Sequence, residues 1–162
     1  MRLRDGQRAT TSSAVRAFAG RPVLLLTFDA PVTAEAAELA VDAAVESGQP
    51  LIVVNAVELP LRPMTSSWGT EVVVTEDVDA SLRAPAELAR ALSVEVERIR
   101  LVSPRPVAAV LELLAERRPG LLVLGSDKTR RGRRRVARAE RQILGAAPCL
   151  VWTGDETELG RV

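Results

Sequence analysis

Short apolar runs separated by amphipathic stretches set the rhythm of the chain. Val23-Leu24-Leu25-Leu26-Thr27-Phe28 is nearly all apolar and ends at Asp29-Ala30-Pro31. A strand buried on both faces has this pattern, and such strands sit in the middle of parallel sheets. Thr33 then stands as a helix N-cap, followed by Glu35 and Glu38 where the helix dipole favours carboxylates. Ala37, Val41, Ala44 and Val45 recur at helical spacing until Ser47-Gly48 stops the helix. Leu51-Ile52-Val53-Val54-Asn55-Ala56-Val57 is a second buried strand and completes a β-α-β unit.

The alternation continues. Pro60, Pro63, Ser66, Ser67 and Gly69 make residues 58–70 a loop. Between Glu71 and Ala84 the signals conflict: Val72-Val73-Val74 is β-branched, whereas the stretch from Asp77 reads as a helix that Pro85 kinks or restarts through Leu92. Val94 to Val102 alternates apolar and charged residues, so one face meets water and the strand belongs near a sheet edge. After the turn Ser103-Pro104-Arg105-Pro106, the residues Val107, Val110, Leu111 and Leu114 mark a helix face that ends at Pro119-Gly120. Leu121-Leu122-Val123-Leu124 is a fully apolar strand running into Gly125-Ser126. Val136, Ala139 and Ile143 line a last helix ending near Gly145, and Cys149-Leu150-Val151-Trp152 is the final strand. This order predicts an α/β fold in which helices cover both faces of a five-stranded parallel sheet. One domain over 21–153 is expected. Residues 1–20, basic and without apolar period, read as a disordered lead-in, and 154–162 as a frayed acidic tail.

Composition narrows the chemistry. The chain has 162 residues, 47% hydrophobic and 27% charged, enough for one core. It contains no His and no Tyr. Ser-His and Cys-His nucleophiles, imidazole bases and His-containing zinc sites are therefore excluded. A single cysteine, Cys149, forms no internal disulfide and fits a reducing compartment. Apolar runs reach five residues at most, far short of a membrane span. A cytoplasmic location and no membrane partner follow as expectations.

Charge is segregated. Of the 22 basic and 21 acidic residues, 127–141 holds eight (Lys128, Arg130, Arg131, Arg133, Arg134, Arg135, Arg138, Arg141) and two, leaving 14 and 19 elsewhere. The segment calls for an anion, a partner surface or solvent. It lacks aromatics for base stacking, so nucleic acid is not expected.

Ligands of open parallel sheets bind beyond the carboxyl ends of the strands, where the winding reverses. The two most apolar strands end in Asp29 and in Gly125-Ser126. If they are neighbours, a carboxylate able to accept from ribose hydroxyls or an adenine amino group faces a glycine that admits phosphate to the backbone. The 126–135 loop adds guanidinium groups suited to phosphate. Each feature also has a plain reading: an Asx turn at Asp29, a tight turn at Gly125-Ser126, and a solvated basic face. Cys149 beside Pro148 reads as a small buried thiol.

From Arg21 to Trp152 the chain resembles the universal stress protein (UspA-like) family. The similar features are Leu-Thr-Phe-Asp29, the Leu-Ile-Val-Val-Asn-Ala-Val strand, the Ser103-Pro104 turn, Gly120-Leu-Leu-Val-Leu-Gly125-Ser126, and Ala147-Pro148-Cys149. The resemblance implies an adenine nucleotide alpha hydrolase-like three-layer fold with strand order 3-2-1-4-5. It also implies dimerisation along the last strand and, in the ATP-binding branch, nucleotide held at the strand 1/strand 4 crevice. Ala56 matches the place where the adenine packs. The glycine pattern of that branch is not kept: Lys128 stands at its second glycine, and Arg138 followed by Ala139 at its third, with Gly132 a displaced alternative. The resulting site set is Asp29, Ala56, Gly125, Ser126, Lys128, Arg130 and Gly132, with ATP or AMP as weak ligand and no metal.

The expected function is a homodimeric, stress-related regulatory module, not an enzyme, with at most slow nucleotide hydrolysis. The alternative is an interaction module of the same fold that binds no nucleotide. Cys149, Leu150, Val151 and Trp152 would form the dimer edge, because an exposed apolar edge strand needs cover; a further protein partner is expected but not specified.

Overall fold

The computed structural model describes residues 20–60, 76–129 and 132–154. The lead-in, the acidic tail, most of the 58–70 loop, the run Val72–Val74 and Arg130 lie outside the described residues. The elements are β1 (Val23–Thr27), α1 (Ala34–Ser47), β2 (Leu51–Glu58), α2 (Glu76–Ala91), β3 (Val96–Ser103), α3 (Pro106–Arg117), β4 (Leu121–Leu124), α4 (Arg133–Ala146) and β5 (Leu150–Thr153). All five strands are parallel, in the order β3-β2-β1-β4-β5. The expected sheet, its order and its edge strand are therefore present.

Period-two alternation in the central strands divides the core into two faces. Val23, Leu25, Leu51, Val53, Leu121 and Val123 pack on α1 and α2. Leu24, Leu26, Ile52, Val54, Leu122 and Leu124 pack on α3 and α4. Every residue of β1 and β4 is buried, which is why neither strand alternates in sequence. Among the described residues β3 has only β2 beside it, and its alternating burial matches its charged positions.

Local signals fix the helix ends. Thr33 caps α1 by accepting from the Ala36 N–H at 3.3 Å, and Gly48 closes it at φ 65, a conformation that favours glycine. Pro106 opens α3 at its first turn.

Four details differ from the sequence reading. α2 runs unbroken through Pro85, whose ring is buried. The proline removes one helix hydrogen bond, a penalty of about 3 kcal/mol in isolation; packing of Val78, Leu82, Ala86 and Ala89 on the sheet outweighs it. β3 begins at Val96 rather than Val94, because Val94 donates its N–H to Ala89 in the turn after α2. β5 is shifted by one residue, so Cys149 precedes it and Thr153 ends it. Trp152 is half-buried against the α1/α2 side of the core, and Leu150, 50% exposed, is the bare apolar residue of that edge.

Candidate functional site

The turn after β1 is held from both neighbouring strands. The Phe28 N–H donates to Ser126 Oγ at 2.9 Å, and the Asp29 N–H donates to Asn55 Oδ1 at 2.9 Å. The Thr27 hydroxyl reaches the same Asn55 oxygen at 3.3 Å. Asp29 is thereby fixed at φ 46, a left-handed conformation that Asp tolerates better than most residues, and its residue is exposed. Asn55 is the buried amide in an otherwise apolar strand. That lone polar position in Leu51–Val57 was the signal from which its orienting role could have been read.

β1 and β4 are neighbours, but their ends do not bracket an open crevice. The segment after β1 is tied to the segment after β4: Thr33 N–H to the Gly125 carbonyl, Asp127 N–H to the Pro31 carbonyl, each 2.8 Å, with an antiparallel bridge between Val32 and Ser126. The opening lies instead on the α3/α4 side. A cleft of about 260 Å³ is lined by Phe28, Asp29 and Ala56 from the strand ends, Pro106 and Val107 from α3, and Arg138 and Ala139 from α4. Glu58 and Arg135 form its rim and pair with each other at 2.8 Å.

The cleft thus brings together Asp29 and Ala56 from the sequence-derived set, joined by Arg138 and Ala139 of the altered glycine positions. Gly125, Ser126, Lys128 and Gly132 do not line it. Gly125 faces the opposite side: a Cβ there would meet Val32 Cγ2 at 2.9 Å and both Ala36 Cβ and Leu25 Cδ1 at 3.0 Å. Lys128 reaches inward to Glu140 Oε2 at 2.7 Å, and that carboxylate is 5% exposed. Gly132 has φ 88 and precedes α4, so Arg133, Arg134 and Arg135 belong to the first helical turn, not to a loop. Glu140 was missed although it falls at i+4 from Val136, on the same helix face as Ile143.

A second hollow of about 270 Å³ opens on the other sheet face between α2 and the β2–β3 edge, lined by Val53, Asn55, Asp79, Leu82, Arg98, Ile99 and Arg100. Hydrogen bonds from Arg83 and Arg98, the latter at 2.7 Å, hold the Asp79 carboxyl below the usual carboxylate range. Burial pushes the Cys149 thiol up, as expected for a packing cysteine. Among the described residues no group of three or more Cys, Asp or Glu could hold a metal ion, and no helix is long and apolar enough to cross a membrane.

The chain matches the model of the universal stress protein family over residues 21–153. Among solved structures it is similar to a universal stress protein in complex with cAMP, at 23% identity and TM-score 0.55, over 83% of this chain and 96% of that one. It is similar also to one from Archaeoglobus fulgidus in complex with dAMP, at 19% identity and TM-score 0.57 over 82% and 96%. A family protein from Arabidopsis thaliana with AMP bound aligns at 15% identity and TM-score 0.51 over 86% and 96%. At these identities the likeness is one of fold. No curated protein sequence matches the chain.

Proposed function

Since the chain belongs to the universal stress protein family, we propose that it is a stress-related regulatory module whose cleft takes an adenine mononucleotide. One observation carries this reading. The cleft combines the rigidly held Asp29, an apolar wall of Phe28, Ala56, Val107, Val136 and Ala139, and the Arg138 guanidinium. The carboxylate accepts from ribose hydroxyls, the wall packs the purine, and the guanidinium binds phosphate. The cAMP, dAMP and AMP found in fold relatives are compatible with that division of labour.

Size and charge favour one phosphate over three. The cleft lies just below the usual range of ligand pockets, which begins at roughly 300 Å³. Side chains occupy two positions where the ATP-binding branch has glycine, and Lys128 is engaged with Glu140. Among the described residues the groups lining the cleft include no nucleophile–base pair, which favours binding with at most slow hydrolysis.

Titration calorimetry with AMP, ATP and adenosine tests the reading. AMP is expected to bind at least as tightly as ATP. Asp29→Ala should weaken AMP about tenfold or more, the worth of a charged hydrogen bond. Arg138→Ala should weaken AMP while leaving adenosine unchanged. Absence of saturable binding up to millimolar ligand by the folded protein would leave the alternative, an interaction module. The internal use of Gly125 and Lys128 favours that alternative.

Homodimerisation through β5 is part of the same proposal. Among the described residues β5 has β4 on one side and no strand on the other, and its first residue, Leu150, is half exposed. Leu150→Lys should halve the mass seen by light scattering with little change in Tm. A dimer that survives it, or a wild-type protein that is monomeric, would place the interface elsewhere or remove it. Leu150 is a cleaner probe than Trp152, because Trp152 also packs on the core.

A further inference from the structure

The outer helices carry exposed charge sorted by sign. On α1, Glu35, Glu38, Asp42 and Glu46 are all exposed and follow one another at three, four and four residues, so they form a single stripe. On α4, Arg134, Arg138 and Arg141 are exposed at spacings of four and three and form another. None of these groups makes an ion pair among the described residues. Among the described residues Arg141 donates only to its own helix, to the Ala137 carbonyl.

Each stripe carries repulsion within its own helix, although the α1 dipole favours Glu35 in the first turn. Like charges one turn apart repel, at Glu38, Asp42 and Glu46 on α1 and at Arg134 and Arg138 on α4. Arg133, Arg134 and Arg135 further crowd the helix end whose dipole disfavours cations, where α4 has no acidic residue in its first turn and no side-chain cap. The one carboxylate of α4, Glu140, is turned inward to Lys128. Opposite charge brought from outside relieves both helices.

The stripes cannot supply it to each other within one molecule. α1 packs on one face of the sheet and α4 on the other, so they look outward on opposite sides of the sandwich. Their dimensions correspond: Glu38 to Glu46 spans about 12 Å along its helix and Arg134 to Arg141 about 10 Å, at 1.5 Å per residue. We propose that α1 of one copy docks on α4 of a second copy through these complementary stripes. The contact is heterologous and leaves one acidic and one basic stripe unused at its ends, so assembly continues end to end. It is separate from pairing along β5; of its basic groups Arg138 also lines the cleft, whereas Arg134 and Arg141 do not, so nucleotide there would engage one cation of the three. A second copy is favoured over nucleic acid because it carries the matching acidic stripe, whereas α4 offers no aromatic side chain for stacking.

Sedimentation velocity of the full chain tests the proposal, with the Leu150→Lys background separating it from β5 pairing. At about 20 mM salt the mean mass should rise several-fold with concentration, and at about 500 mM it should collapse to a constant value as screening shortens the range of the charges. Two charge-reversed proteins sharpen the test: Glu38→Arg/Asp42→Arg/Glu46→Arg, and Arg134→Glu/Arg141→Glu. All five sites are exposed, so both proteins should fold with near wild-type circular dichroism. Each alone should lose the growth, and mixing them should restore it, because the reversed stripes complement each other. A wild-type mass independent of salt, or a mixture that stays unassociated, overturns the proposal. So does growth that appears only on adding a DNA oligonucleotide, which would assign the basic stripe to nucleic acid.

Discussion

Lys128→Met should destabilise the protein by about 3 kcal/mol, a fall in Tm of roughly 6–12 °C for a domain of this size. The lysine is 30% exposed on its side chain, whereas its partner Glu140 is 5% exposed and 2.7 Å away. Removing the cation takes a 2.7 Å ion pair from a carboxylate set in the interior face of α4 with Val136 and Ile143, and breaking a buried pair is far costlier than the intact pair is beneficial. The figure sits at the low end of the range for broken buried pairs because water reaches the lysine side. The double replacement Lys128→Met/Glu140→Leu should recover most of the loss, since apolar groups of similar volume replace a buried pair at little cost. Thermal and urea unfolding of the two single variants and the double variant measure the coupling directly. Lys128 stands where the ATP-binding pattern has a glycine, so the alternative role is phosphate binding. A Tm within about 2 °C of wild type together with a lost AMP titration would establish that role and refute the structural one.

How much of this was legible depends on whether a residue's fate is decided locally. β1, β2 and β4 were readable because strands covered on both faces have no reason to alternate, and their apolar runs say so. β3 was readable for the converse reason: an edge strand shows water in its charges. The neighbouring of β1 and β4, which the placement of Asp29 required, followed from the resemblance and is present in the sheet. Pro85 was not readable, because local propensity argues for a break and only the buried ring and the sheet beneath it argue otherwise. The position of the opening was also hidden. It is set by the backbone tie between residues 31–33 and 125–127, a contact about ninety residues apart in sequence that no window reveals. The same tie explains why Asp29 and Ala56 meet in the cleft while Gly125 and Ser126 serve its scaffold.

Gly125 gives the sharpest separation between scaffold and site, and Gly125→Val should cost about 3 kcal/mol, near the top of the overpacking range. The added Cβ alone arrives 2.9 Å from Val32 Cγ2 and 3.0 Å from Ala36 Cβ and Leu25 Cδ1. Leu25 can change rotamer at a price in packing, but Ala36 has no torsion with which to retreat, so α1 must move off the sheet. Gly125→Ala should show a smaller loss, about 1–2 kcal/mol, by the same route. Because these contacts lie on the α1 face and the cleft on the α3/α4 face, the alanine variant should still bind AMP within a few-fold of wild type at low temperature. Unfolding curves and calorimetry on one preparation test both halves. A variant of unchanged stability that no longer binds AMP would mean that phosphate, and not Ala36, is what the missing side chain makes room for.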